Sequence, residues 1–306
     1  MAVVPQLYLF LSVDVIGSTA LKYNKDSPID DWYSVFTDFY VSFPDEFRTH
    51  LESEYVYNKQ LNYSRDNLVV WKYSGDEVLF YAEITQNDEI SCIVSAFKKT
   101  LEDWYSSAGK LNVKGCVWIG QFPFVDRKIK EEGSKKIDFL GPSIDCGFRL
   151  GKYSSKDEIA ISVEVADQII KTTSLQSSVY YLKSENLKGV LGNKQYPIFV
   201  LKLEGAKTDE YDYLKTPCHP INLNNYITKY YEDMEKDFKG KVSRIEKDIP
   251  SYLNKQKPLI KNIQLSKTTQ QQKAKEIAYD KQGNSEVFEE LEDLVPQSDN
   301  ILKTEE

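Results

Sequence analysis

The sequence is poor in the residues that histidine and soft-metal chemistry need. Its 306 residues include two histidines, His50 and His219, and four cysteines, Cys92, Cys116, Cys146 and Cys218. No CxxC pair occurs. That argues against a zinc centre of thiolate and imidazole, and against a histidine general base. The cysteines fall in apolar or strand-like surroundings, which fits reduced core thiols in a cytoplasmic protein. Positive charge is also short: 39 Lys and Arg stand against 47 Asp and Glu, a net charge of −8. A non-specific nucleic-acid or membrane-surface binder needs the opposite field. No apolar run reaches membrane-spanning length, and the start of the sequence shows neither the basic n-region nor the small-residue cleavage site of a signal peptide. No internal repeat is present. What remains is oxygen chemistry, so any bound metal is expected to be Mg²⁺ or Mn²⁺.

The hydrophobic pattern sets out the elements. Leu7 to Val13 is one strand, ended by Asp14. Ser27-Pro28 with Asp30 and Asp31 starts a helix that carries Ile29, Trp32, Phe36, Phe39 and Phe43 at helical spacing. Pro44 is expected to end that helix or to open another turn with Phe47 and Leu51. Asn58 to Asn67 reads as a loop. Leu68 to Lys72 and Glu77 to Ala82 are strands joined by Tyr73-Ser74-Gly75-Asp76, a hairpin. A helix follows from about Asp88 to Tyr105, then a strand-like stretch at Val113–Phe122, a short apolar stretch at Ile137–Leu140, and a helix opened by Pro142 and running to about Leu150. Glu158–Ser162 (strand), Val163–Lys171 (helix), Val179–Lys183 and Pro197–Leu203 (strands) complete the pattern. The expected class is α+β: a ferredoxin-like βαββαβ core with an added βαβ, and helices on one face. The domain is expected over 1–204. A linker and amphipathic helix are expected over 205–240, with Tyr226, Ile227, Tyr230, Tyr231, Met234 and Phe238 on one face. A charged, helical or partly disordered tail is expected over 241–306.

Three stretches carry chemistry. The first is Asp14 followed by Val15-Ile16-Gly17-Ser18-Thr19. A strand that delivers a carboxylate to its end and then turns through small residues suits a metal-bound polyphosphate: the acid holds the cation and backbone N–H groups approach the phosphates. The plain alternative is a buried strand followed by a helix cap. The second stretch is Asp76 at the hairpin tip. A ferredoxin-like sheet sets this hairpin beside the first strand and brings Asp14 to Asp76. Two carboxylates and the Val15 carbonyl can hold two divalent cations. The alternative for Asp76 is an ordinary turn acid. The third is Asp138-Phe139-Leu140-Gly141-Pro142-Ser143-Ile144-Asp145-Cys146-Gly147-Phe148-Arg149. Here Asp145 and Arg149 lie four apart, either as a surface ion pair or with the arginine aimed at phosphate.

Together these stretches resemble the class III nucleotidyl cyclase homology domain. That family carries F-x-D-I-x-G-(F/S)-T at a strand end, K-x-x-G-D on a hairpin and D-x-x-G-x-x-V-N-x-A-x-R-M on a helix. This chain has FLSVDVIGST, KYSGD and DFLGPSIDCGFRL in the same order, and the resemblance covers about residues 5–203. It implies that Asp14, Asp76 and the Val15 carbonyl bind two Mn²⁺ or Mg²⁺ ions per site, and that Ile16, Gly17, Ser18 and Thr19 cradle the phosphates. It implies base reading by Lys72 and Asp138, and transition-state stabilisation by Arg149. Asp145 stands where the family has a ribose-orienting asparagine, and an ionised Asp cannot donate as Asn does. A head-to-tail homodimer with shared sites is also implied. The wording is most similar to the bacterial pyrimidine cyclases of Pycsar antiphage systems. That implies conversion of UTP to cyclic UMP, or of CTP to cyclic CMP, and a separate effector that the product activates. An adenylate cyclase remains an alternative through the lysine–aspartate pair. A diguanylate cyclase is another, since Ser74-Gly75-Asp76-Glu77-Val78 resembles a GGDEF hairpin, though DFLGPSIDCGFR is then unexplained. The non-enzyme alternative is an inactive nucleotide-binding or dimerisation module, and the presence of Asp14, Asp76 and Arg149 together argues against it.

Overall fold

A computed structural model describes residues 6–23, 29–58, 68–107, 111–122, 126–130, 133, 136–170, 175–190, 195–205, 216–217, 225 and 228. The expected tail over 241–306 lies outside the described residues. Of the helix expected near Asn222–Lys239, only Asn225 and Thr228 are described, and both are helical.

The chain is α+β. Strand β1 (Gln6–Val15) is the centre of a sheet ordered β10-β8-β9-β7-β4-β1-β3-β2. Its antiparallel neighbours are β3 (Glu77–Ile84) and β4 (Val113–Phe122), and β2 (Val69–Ser74) is the edge beyond β3. With α2 (Ile29–Tyr57) and α3 (Asn87–Ser106) this is the expected βαββαβ core, preceded by a short helix α1 (Ser18–Lys22). The addition differs from a simple βαβ. Strand β7 (Glu158–Ile161) joins β4 in parallel and is followed by α5 (Val163–Ile169). Both β8 (Val179–Asn186) and β9 (Gln195–Lys202) are then antiparallel, with β9 inserted between β7 and β8; β10 (Thr216–Pro217) pairs with β8.

The two faces of the sheet are covered differently. On one face Phe43 and Phe47 of α2 pack on Phe80, and Phe97 of α3 packs on both α2 rings. Leu11 and Val13 share that face by register with Phe80 and Gly115. On the other face Phe10 stacks on Trp118 at 5.6 Å and meets Phe139 edge-on at 5.0 Å. Tyr8, Ser12 and Asp14 lie on this second face because side chains alternate along a strand.

Helices on one face only is therefore a corrected expectation. Helix α4 (Pro142–Leu150) lies on the aromatic face, with a small hairpin of β5 (Arg127–Lys130) and β6 (Ile137–Leu140) before it. The aromatic surface needs a cover, and Gly147 permits a close one: a Cβ there would stand 2.2 Å from the Trp118 ring. Pro44 is a second correction. It neither ends α2 nor divides it. Its missing N–H forfeits one hydrogen bond, but Phe36, Phe39, Phe43, Phe47 and Leu51 form one buried stripe that continues through it. Of the four cysteines, Cys92, Cys116 and Cys146 are free and buried as expected, and Cys218 lies outside the described residues.

Candidate functional site

The end of β1 and the tip of the β2–β3 hairpin meet. The Val15 N–H donates to the Asp76 carbonyl at 3.2 Å, which ties the strand end to the turn. Gly75 makes the turn with φ of 67°, a left-handed conformation that suits glycine. Its carbonyl accepts a hydrogen bond from the Tyr40 hydroxyl of α2, which fastens the tip to the helix layer. Asp14 and Asp76 are close enough that the charge on Asp76 raises the Asp14 pKa.

Two neighbours of Asp14 were not read from the sequence. Register puts Glu77 of β3 on one side of it and Lys114 of β4 on the other. Lys114 Nζ lies 3.1 Å from Asp14 Oδ2. Burial pushes the Asp14 carboxyl above its ordinary range, and Lys114 pulls it part of the way back. Glu77 is raised in the same way, by burial first and then by Asp14 and Asp76, while a hydrogen bond with Ser12 opposes the shift. Both residues are opposite-strand partners, which only the register reveals.

Beyond β1 the chain turns through Gly17, φ 73°, into α1. The Ile16 N–H is committed to the Asn112 carbonyl at 2.8 Å. Of the expected phosphate cradle, this leaves Gly17, Ser18 and Thr19, whose N–H groups open a helix and have no intrahelical acceptor.

Lys72 and Asp138 are also brought together. Lys72 Nζ, Trp71 Nε1 and the Phe139 N–H all donate to Asp138 Oδ1, at 2.9, 2.9 and 3.0 Å. Burial would raise this carboxyl, but Lys72 and the Phe139 N–H outweigh it, and the pKa is lowered. The register between Val70 and Lys72 shifts by a β-bulge at Trp71. Adjacent strand residues normally face opposite ways; the bulge turns Trp71 and Lys72 toward the same acid. The indole also packs on Phe10, Phe139 and Phe148, and Lys72 Nζ lies 4.0 Å from the centre of the Trp71 ring.

Helix α4 carries Asp145 and Arg149. Among the described residues no ion pair joins them, so the surface-pair alternative is not realised, and none joins Arg149 to Asp14 or Asp76. Asp145 is exposed. Arg149 is half-buried, and its Nε is a buried donor without a partner. The helix is anchored by Asp126, which the sequence reading missed. This fully buried acid accepts the Ser143 N–H on Oδ1 and the Gln121 N–H on Oδ2, each at 3.0 Å.

The donor chemistry fits a hard divalent cation: the corner offers carboxylates and main-chain carbonyls. Burial lifts Asp14 and Glu77, and the neighbouring carboxylates add to the shift, so a bound cation would favour their charged forms. Among the described residues no three acidic, His or Cys side chains form a preassembled metal cage, so water and a ligand's own oxygens would complete the coordination. No described helix is long and apolar enough to cross a membrane.

No protein-family model matches the chain, and no curated protein matches it. Among solved structures it is similar to the catalytic core of a rhodopsin-guanylyl cyclase with converted specificity in complex with ATPαS, at 12% identity over 65% of this chain and 96% of that one, TM-score 0.48. It is similar to the guanylate cyclase domain of RhGC from Catenaria anguillulae in complex with GTP, at 10% identity over 65% and 97%, TM-score 0.45. It is also similar to the adenylyl cyclase CyaB from P. aeruginosa, at 12% identity over 67% and 98%, TM-score 0.42. Identities this low leave the chemistry to be argued from the residues themselves.

Proposed function

We propose that the chain is a nucleotidyl cyclase that converts UTP to 3′,5′-cyclic UMP and pyrophosphate. The observation that carries the reading is the junction of β1 with the hairpin tip, which sets Asp14 and Asp76 beside a glycine turn that opens a helix. Asp14 and Asp76, with the Val15 carbonyl, would hold Mn²⁺ or Mg²⁺, two ions per site. Bound there, the cations would lower the pKa of the 3′-hydroxyl and offset phosphate charge. Gly17, Ser18 and Thr19 face the β- and γ-phosphates with their N–H groups. The 3′-oxygen then bonds to the α-phosphorus as the bond to the pyrophosphate oxygen breaks, and the protein supplies position and charge.

Lys72 and Asp138 read the base edge, one as donor and one as acceptor, and the Trp71 indole beside them favours a small base. Arg149 has a buried Nε donor without a partner and, among the described residues, no ion pair with an acid, which suits a group waiting for phosphate charge. Asp145 accepts from the ribose. Among the described residues Arg149 forms no ion pair with Asp14 or Asp76, and that supports a homodimer in which each site takes its acids from one protomer and its arginine from the other. The wording of the three motifs supports a product that serves as a second messenger of antiphage defence, acting on a separate effector.

The test is incubation of the purified chain with Mn²⁺ and each of UTP, CTP, ATP and GTP, followed by identification of the product. Cyclic UMP is the expected product. Cyclic CMP or cyclic AMP would keep the chemistry and change the base. The absence of any cyclic product, or full activity in Asp14→Ala, would refute the reading. Arg149→Ala is expected to lower kcat on the order of 10³-fold.

A further inference from the structure

Lys114 occupies Asp14 from the neighbouring strand, at 3.1 Å. The sheet enforces the contact: on the aromatic face Asp14 has Glu77 directly opposite on β3 and Lys114 directly opposite on β4. Asp76 repels both Asp14 and Glu77, and among the described residues Lys114 is ion-paired with Asp14 alone. A divalent ion bound to the same oxygen at roughly 2.1–2.5 Å would lie within about 5 Å of that ammonium and repel it. Asp14 Oδ2 therefore has two competing claimants.

We propose that Lys114 is a place-holding cation of the acid corner: it and a divalent metal compete for Asp14, and it yields when the metal arrives together with a triphosphate. The inference rests on the reading of this corner as the metal site of a nucleotide-consuming enzyme. Without metal, the ammonium offsets the mutual repulsion of Asp14, Asp76 and Glu77 and keeps the Asp14 carboxylate oriented. Metal alone meets a corner already partly neutralised. Metal with a triphosphate brings several negative charges, enough to accommodate both the ion and the displaced ammonium. Lysine suits this part better than arginine, because it is a compact charge on a flexible stem with one contact to release, not a rigid fork. The site would thus discriminate against free metal in favour of the metal–nucleotide complex.

The test is titration of the full chain with Mn²⁺ followed by electron paramagnetic resonance, with and without α,β-methylene-UTP. Lys114→Met keeps the stem and removes the charge. It is expected to tighten binding of free Mn²⁺ on the order of tenfold, and to tighten binding of the Mn²⁺–analogue complex far less. Lys114→Arg, which keeps the charge on a less readily released fork, should bind free Mn²⁺ no more tightly than wild type. Unchanged or weaker free Mn²⁺ binding in a folded Lys114→Met protein would overturn the proposal and leave Lys114 a structural partner of Asp14. Wild-type binding of Mn²⁺ that is absent even with the analogue, or is insensitive to Asp14→Asn, would instead overturn the metal-site reading, and this proposal with it.

Discussion

Asp126 shows how one side chain positions another. Its carboxylate bonds to two backbone N–H groups and fixes the start of α4, the helix that carries Arg149. Burial pushes its pKa up to about 6 although those N–H groups favour the charged form. A carboxyl raised in the folded state binds its proton more tightly there than in the unfolded chain. Its contribution to stability is therefore greatest below about pH 4, falls as pH rises toward about 6, and is flat above that. Asp126→Ala should abolish this decline and, by leaving two buried N–H groups unpaired, cost about 2 kcal/mol. Urea melts at pH 4.5 and pH 7 measure both effects. Asp14, Asp76, Lys72 and Asp138 were legible in the sequence because motif spacing marks them. Lys114, Glu77, Trp71 and Tyr40 were not, because each earns its place through a partner far along the chain.

At the scale of elements, α4 is held against the sheet by an absent side chain. Gly147→Ala would put a methyl group into the Trp118 ring, and relief requires α4 to lift from β4. We expect a loss of about 1–3 kcal/mol in thermal or chemical melts, and, under the proposed function, a lower kcat as Arg149 moves with the helix. Element boundaries were most legible where hydrophobic pattern and turn residues agreed. Strands β4 and β6 and helix α4 have the limits expected from Val113–Phe122, Ile137–Leu140 and Pro142–Leu150. Strand β5 was not seen, because Arg127-Lys128-Ile129-Lys130 offers a single apolar residue and pairs only with β6. Helix α1 was read as part of a phosphate loop, since five residues are too few to show a period. The Pro44 expectation failed because a local rule about the backbone was outweighed by the packing of a long aromatic stripe.

For the whole molecule, the lack of an ion pair between Arg149 and Asp14 or Asp76 among the described residues leads to a direct test of shared sites. If two copies share their sites, Asp14→Ala and Arg149→Ala proteins are each inactive alone. Mixed in equal amounts and allowed to exchange, half the dimers are mixed, each with one intact site, and activity should return to about a quarter of the wild-type rate. No recovery in mixtures shown to exchange subunits would mean that each chain works alone. The β-bulge has a consequence of a different kind. Trp71 is a supernumerary residue: Val70 faces Phe80 and Lys72 faces Leu79 with or without it. Loss of its single codon would therefore leave every other rung of the ladder in frame, with Lys72 still turned to Asp138 and Asp76 still at the tip. The indole wall beside Lys72 and Asp138 can be gained or lost in one in-frame indel, without rebuilding the end of the sheet that carries Asp14 and Asp76.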